Sequence, residues 1–254
     1  MDYQVAVPSY NRVDVCKTRT LALLKKHNIA KERITIFVAN EEQKNLYQDA
    51  IPSDLYGQIV VAVKGHREVK NWISEYYPLM TKYVSCDDDL YDMMELDGNG
   101  GLRAVASLHD LIVEGFKQCE AHKYHLWGIA PVANGFFLKQ TIHNDVKFCI
   151  GHFWGCINRR IPIWLNLKDD YERSIKNSIQ DGGVIRFSYV AGVTKYCATG
   201  GINQSKEERS DANAKEVSFL VESFPGLVRL NTKRPGEILL NRSLTKYKKN
   251  LGLR

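Results

Sequence analysis

The chain has 254 residues, 44% of them hydrophobic and 25% charged, a profile that suits a soluble globular enzyme and excludes fibrous and largely disordered classes. No run approaches the roughly 18 apolar residues of a bilayer-crossing helix. The start, MDYQVAVPSY, lacks the basic and apolar regions of a secretory signal, so a cytoplasmic location without membrane attachment is expected. The net charge is +6, and it is concentrated. From Pro225 to Arg254 there are eight basic residues (Arg229, Lys233, Arg234, Arg242, Lys246, Lys248, Lys249, Arg254) against Glu237 alone, so this stretch carries +7 and the rest of the chain sums to −1. Such a run is either a surface for nucleic acid or another polyanion or a solvated tail.

Along the first hundred residues, short β-branched runs alternate with helical patterns. Tyr3 to Val7, Ile34 to Val38, Ile59 to Val63 and Lys82 to Cys86 read as strands buried on both faces. Val15 to His27, Glu41 to Ala50 and Arg67 to Tyr77 carry apolar residues at helical spacing. This rhythm predicts an α/β fold, a mostly parallel Rossmann-type sheet flanked by helices. Ligands of such sheets bind beyond the C-terminal strand ends. Four polar clusters fall there: Pro8-Ser9-Tyr10-Asn11-Arg12, Ala39-Asn40-Glu41-Glu42, Lys64-Gly65-His66-Arg67, and Asp87-Asp88-Asp89.

In the second half, a glycine-rich hinge (Asp97 to Gly101) leads into a helix predicted over Leu102 to Cys119. Strands are expected at His125 to Ile129, Val146 to Ile150, Phe153 to Ile157 and Val184 to Val190. Helices are expected at Asp170 to Ile179 and Lys206 to Ser223, with a loop at Ala198 to Gly201 between them. Six scattered cysteines without a C-x-x-C pair read as reduced thiols. Cys149, His152 and Cys156 are close enough in sequence for zinc, but no fourth ligand is evident and a strand explains them as well.

Three adjacent carboxylates at a strand end repel one another, so a divalent cation, Mn2+ or Mg2+, is expected to neutralise them. Asp87 and Asp89, two residues apart on an extended segment, would face the same way and hold it, while Asp88 suits a ribose or sugar hydroxyl. The competing reading is a solvated acidic turn.

VPSYNR, Lys70-Asn71-Trp72-Ile73 and a strand ending in DDD resemble glycosyltransferases of the GT-A fold. With FCIGHFWGCINRR and LKDDYERSI added, the order of motifs from Tyr3 to Gly201 resembles the TET/JBP-associated glycosyltransferases of bacteriophages, which modify hydroxymethylated pyrimidines in DNA. The resemblance implies a GT-A-like single domain: residues 1–101 as the nucleotide-sugar half, 102–224 as the acceptor half, and 225–254 as a basic C-terminal extension. It implies a UDP-sugar donor, a hexose (glucose) transferred, and DNA as acceptor, met by the basic extension with Lys206 and Arg209 beside it. Pro8, Tyr10, Asn11 and Arg12 would seat the base and ribose, and Asp87 with Asp89 would match the metal-binding DxD. Arg67, Lys70 and Asn71 would meet the diphosphate, though which cation does so departs from the usual Arg-Asn. Asp169 and Asp170 match the family's acidic pair, with Asp170 as the catalytic carboxylate; helix N-capping is the alternative for that pair. His143 and His152 are candidates by type for a further metal ligand, and Trp127, Phe153 and Trp154 for stacking on a sugar or base. Competing functions are a GT-A enzyme acting on a surface polysaccharide or protein, a nucleotidyltransferase, and a non-catalytic nucleic-acid-binding protein.

Overall fold

The computed structural model describes residues 1–194 and 206–241, with Ser243, Leu244 and Tyr247, and of 206–208 only the backbone. The expected loop Ala198 to Gly201, Cys197, the Lys206 side chain and Arg242, Lys246, Lys248, Lys249 and Arg254 lie outside the described residues.

The expected parallel core is present. Strand β1 (Gln4–Pro8) lies between β2 (Ile34–Val38) and β4 (Lys82–Cys86), and β3 (Gln58–Val61) pairs with β2, all parallel. All five residues of β2 are buried, which is why a run of Ile, Phe and Val suits it. Helices α3 (Glu41–Ala50) and α4 (His66–Tyr76) cover this half. The first helix is α1 (Val13–Val15), passing through a π-helical Cys16–Leu21 into α2 (Ala22–Lys26).

Beyond β4 the order continues β9 (Phe153–Ile157), β7 (Leu126–Ala130), β10 (Val184–Thr194), β5 (Leu90–Leu96) and β6 (Leu102–Ala104), with β8 (Ile142–Asp145) also on β10. From the pairings, β1 to β4, β6, β7 and β10 point one way, and β5, β8 and β9 run against them.

Three expectations are corrected here. Asp97 to Gly101 is the turn of a β5–β6 hairpin rather than a hinge: Asp97 Oδ1 accepts the Asn99 and Gly101 amides at 2.7 and 3.0 Å. The helix expected from Leu102 therefore begins six residues later, as α5 (Leu108–His122), where the Ser107 side chain accepts the Asp110 amide. The strand expected at Val146 to Ile150 is replaced by β8 just before it. That segment turns away to pack on α6 (Asp169–Asp181), with the Phe148 ring 4.4 Å from Tyr171 and the Cys149 amide donating to Ser174 Oγ.

A second apolar cluster joins α6 to α7 (Lys206–Ser223) and the hairpin of β11 (Val228–Leu230) and β12 (Ile238–Leu240), through Leu165, Ile175, Val217, Leu220 and Leu227. The described part of the basic C-terminal extension is thus packed structure, with Arg229, Lys233 and Arg234 exposed on it.

Fully buried Trp127 centres the main core, and it needs two glycines. A Cβ at Gly115 would lie 2.5 Å from its Cδ2, and one at Gly155 2.3 Å from its Nε1. Gly155→Ala should therefore lower stability by about 1–3 kcal/mol, the usual cost of overpacking, read as a lower midpoint in urea unfolding.

Candidate functional site

The C-terminal strand ends open into a cleft of about 640 Å³. Pro8, Tyr10, Arg12, Lys70, Asp87, Asp88, Asp89, Asp169 and Asp170 all line it, so most of the residues singled out in the sequence meet there. Arg209, from α7, also reaches it.

The Asp triplet lies on a tight turn between β4 and β5 rather than on an extended segment, because β5 begins at Leu90. Thr20, in the π-helical stretch, fixes the turn: its Oγ1 donates to the Asp87 carbonyl at 2.7 Å and accepts the Leu90 amide at 3.0 Å. Asp88 is the buried member. Ser9 Oγ donates to its Oδ2 at 2.6 Å, Tyr47 OH stands 2.6 Å behind Ser9, and Arg12 pairs with its Oδ1 at 3.0 Å. Both oxygens thus already have protein partners. Burial pushes the Asp88 carboxyl up to about 6, partly offset by Ser9 and Arg12. The other guanidinium nitrogen of Arg12 reaches Asp89 at 2.9 Å.

Across the cleft, Asp169 and Asp170 open α6 and live in opposite surroundings. Asp169 is buried, with Lys70 Nζ at 2.7 Å, Arg173 at 3.1 Å and His66 Nε2 at 3.2 Å. Lys70 first, then the His66 hydrogen bond and Arg173, hold its carboxyl well below the usual range despite burial. Asp170 accepts the Gly151 and Tyr171 amides but has no ion pair within 4 Å among the described residues. Burial, then the neighbouring Asp169 charge, pushes it up to about 6.

Arg67, Asn71 and Asn11 are not on the cleft wall. Arg67 donates to the Trp164 carbonyl and pairs with Glu68. Asn71 exchanges two hydrogen bonds with the backbone of Ile163. Asn11, at φ 53°, exchanges two with Gln43, holding the Pro8 to Arg12 segment on α3. Trp127, Phe153 and Trp154 are core residues, the last beneath the Arg173 guanidinium at 3.7 Å. Cys149 donates to the Ile185 carbonyl and Cys156 sits beside Tyr83, so both read as core residues. His152, just before β9, lies against the triplet, its carbonyl accepting the Asp87 amide at 2.9 Å and its buried Nε2 without a hydrogen-bond partner among the described residues. His66 and Arg209 contribute more than their sequence context suggests. Their spacing from the acidic motifs carries no signal, since distant segments bring them in.

Among the described residues, no three His, Cys, Asp or Glu side chains form a metal-binding group. Asp87 and Asp89 nonetheless fit a hard divalent cation. They are oxygen donors on one wall, Arg12 is the sole cation paired to the triplet among the described residues, and the Asp87 carboxylate has no hydrogen-bond partner there. Such an ion would complete its shell with water and ligand oxygens.

No protein-family profile matches the sequence, and no curated protein does. Solved structures do. The chain is similar to S. aureus TarS 1-349 in complex with UDP, over 87% of this chain and 66% of that one, at 12% identity and a TM-score of 0.53. It spans 40% of the longer TarS structure, at a TM-score of 0.54. It is also similar to the mannosyltransferase PcManGT from Pyrobaculum calidifontis in complex with GDP-Man and Mn2+, over 99% of this chain and 70% of that one, at 10% identity and a TM-score of 0.53. The fold is the mixed α/β fold of glycosyltransferases.

Replacing Asp169 with Asn should cost about 3–5 kcal/mol at pH 7, since Lys70 and Arg173 are left buried without their anion. The lowered carboxyl contributes stability that is full above the unfolded value of about 4 and is lost as pH falls through the folded one. Denaturant titrations should show the gap between wild type and variant closing only below about pH 4.

Proposed function

We propose that the chain is a metal-dependent glycosyltransferase that takes a hexose from a nucleotide-sugar. The observation that carries this reading is the pairing, in one cleft at the strand ends, of a carboxylate triplet answered among the described residues by Arg12 alone with an acidic helix start whose second member has no ion pair there. Tyr10, with Lys64 Nζ 5.0 Å from its ring centroid, and Pro8 would seat the base. Asp87 and Asp89 would hold Mn2+ or Mg2+, which when bound neutralises charge on the diphosphate leaving group. Lys70 and Arg209 add positive charge along the diphosphate path.

Asp170 takes the proton of the acceptor hydroxyl as its oxygen attacks the anomeric carbon and the bond to the diphosphate breaks. A carboxylate raised to about 6 is a stronger base than an ordinary one and is still ionised at pH 7. Lys70 and Arg173, both paired with Asp169, offset the rise at Asp170 only in part.

For the acceptor, we propose a hydroxymethylated pyrimidine in DNA, with glucose from UDP-glucose as the transferred sugar. The sequence resemblance supports this, as do Arg229, Lys233 and Arg234 exposed on the hairpin after α7. The base would have to leave the duplex stack.

Incubation with UDP-glucose, manganese and DNA containing hydroxymethylcytosine or hydroxymethyluracil should add a hexose mass to the base by mass spectrometry. Transfer or donor hydrolysis with other acceptors but none of these DNAs removes the DNA reading and leaves glycosyl transfer standing. Sound protein that turns over no nucleotide-sugar at all removes both. Asp170→Asn should reduce kcat by about 100-fold or more, and the wild-type rate should fall on the acid side of about pH 6 as Asp170 gains its proton. Asp87→Asn with Asp89→Asn should abolish the manganese dependence while the fold persists.

A further inference from the structure

The loop from Trp164 to Lys168, which delivers the acidic pair to the cleft, has no regular structure of its own. Its five consecutive backbone amides are nevertheless all satisfied, by two glutamates. Glu172 Oε2 accepts those of Trp164 and Leu165 at 2.8 and 3.0 Å. Glu216 accepts those of Asn166, Leu167 and Lys168 at 2.9, 2.8 and 2.8 Å. The first of these glutamates belongs to α6 itself. The second comes from α7, about fifty residues away.

This matters because Lys168 precedes α6 and provides no side-chain cap. Unsatisfied amides at a helix start need an acceptor, and a carboxylate there also meets the positive end of the helix dipole. Glu216 supplies both from outside the helix. Glu237, from the β11–β12 hairpin, grips the other side: it accepts from Lys168 Nζ at 3.2 Å and from Tyr171 OH at 2.5 Å, one residue before and one after the acidic pair.

The module behind these two glutamates is anchored for the purpose. Arg209, Asn213 and Glu216 recur on α7 at intervals of four and three, one stripe of the helix. Arg209 lines the cleft, Asn213 donates to the Gly236 carbonyl at 3.0 Å, and Glu216 holds the loop. The adjoining stripe, Val217, Leu220 and Phe224, is buried in the second core with Leu165 and Ile175.

We propose that Glu216 and Glu237 are positioning residues for Asp169 and Asp170, and that α7 with its hairpin is therefore part of the catalytic apparatus. The inference rests on the reading of Asp170 as the acting base. A loop held by charge-assisted hydrogen bonds fixes the carboxylate against the acceptor, and a displacement of about 1 Å there costs on the order of 100-fold in rate.

The test uses the full chain with UDP-glucose and GDP-mannose as donors, reading release of the nucleoside diphosphate, together with UDP binding in manganese and amide hydrogen exchange. Glu216→Ala should lower kcat by about 10- to 100-fold with the donor KM and UDP affinity unchanged, and exchange at residues 166–168 should accelerate. Glu216→Gln, which keeps one carbonyl acceptor, should recover part of the rate. Glu237→Gln, which keeps one carbonyl acceptor for the Tyr171 hydroxyl, should lower kcat in the same direction with UDP affinity unchanged.

Slow exchange at 166–168 in Glu216→Ala overturns the clamp whatever the turnover. So does wild-type kcat in both Glu216→Ala and Glu237→Gln, or a parallel loss of kcat and UDP affinity. Wild-type kcat in Asp170→Asn instead removes the base assignment. Loss of activity in Asp170→Asn with full activity in the glutamate variants removes the clamp alone.

Discussion

Asp169 is the point at which the two halves of the molecule meet. Its carboxylate takes Lys70 and His66 from α4, which covers the parallel strands, and Arg173 from its own helix α6. Asp169, Lys70 and Arg173 all lose hydration on burial, and removing the shared anion leaves two buried cations stranded. The separation of α4 and α6 is thereby set by charge as well as by apolar packing. That separation is the width of the cleft, which the strand ends alone would leave to the loops.

The opposite wall follows the same logic with a different balance. Arg12 divides one guanidinium between Asp88 and Asp89, and Ser9 with Tyr47 satisfies the buried face of Asp88. Three negative charges against one positive leave this wall short of cations. Across the cleft, Lys70 and Arg173 are already paired with Asp169. A divalent ion held by Asp87 and Asp89 would reduce the deficit. Binding and electrostatic relief are then one event.

The parallel half was legible because its strands are buried on both faces and its helices on one, so period and composition agree with the tertiary outcome. The polar clusters after β1 and β4 were legible for the same reason, since strand direction alone sends them to one edge. The β5–β6 hairpin was hidden because Leu90 to Leu96 alternates weakly and Asp97 to Gly101 carries the glycines of a hinge as well as those of a turn. Its role came from Asp97 side-chain bonds that no periodicity reports. Val146 to Ile150 has the apolar run of a strand, yet its apolar side chains serve the second core. Lys70 and Arg67 are indistinguishable in sequence as phosphate ligands. Only the placement of the Trp164 carbonyl and of Asp169 separates them, with Arg67 turned to the loop and Lys70 to the cleft. The basic run after Pro225 concealed a packed hairpin because its charges outnumber its core residues.

Two adjacent aspartates at one helix start would ordinarily share the same positive dipole and the same solvent. Here successive residues at the head of α6 project toward different neighbours, and the division is nearly complete. Asp169 receives the cations, which hold its carboxyl well below the usual range and make it a poor proton acceptor. Asp170 receives amides and the repulsion of Asp169, which raises its affinity for a proton without supplying a partner that would hold it shut. Burial raises the basicity of the second aspartate and the charge of the first adds to it, with Arg173 and Lys70 offsetting the rise in part. A cleft that must gather anions and also keep one carboxylate available for chemistry needs this asymmetry, and here it rests on the placement of Lys70, Arg173 and His66 around Asp169 rather than on the acidic pair alone.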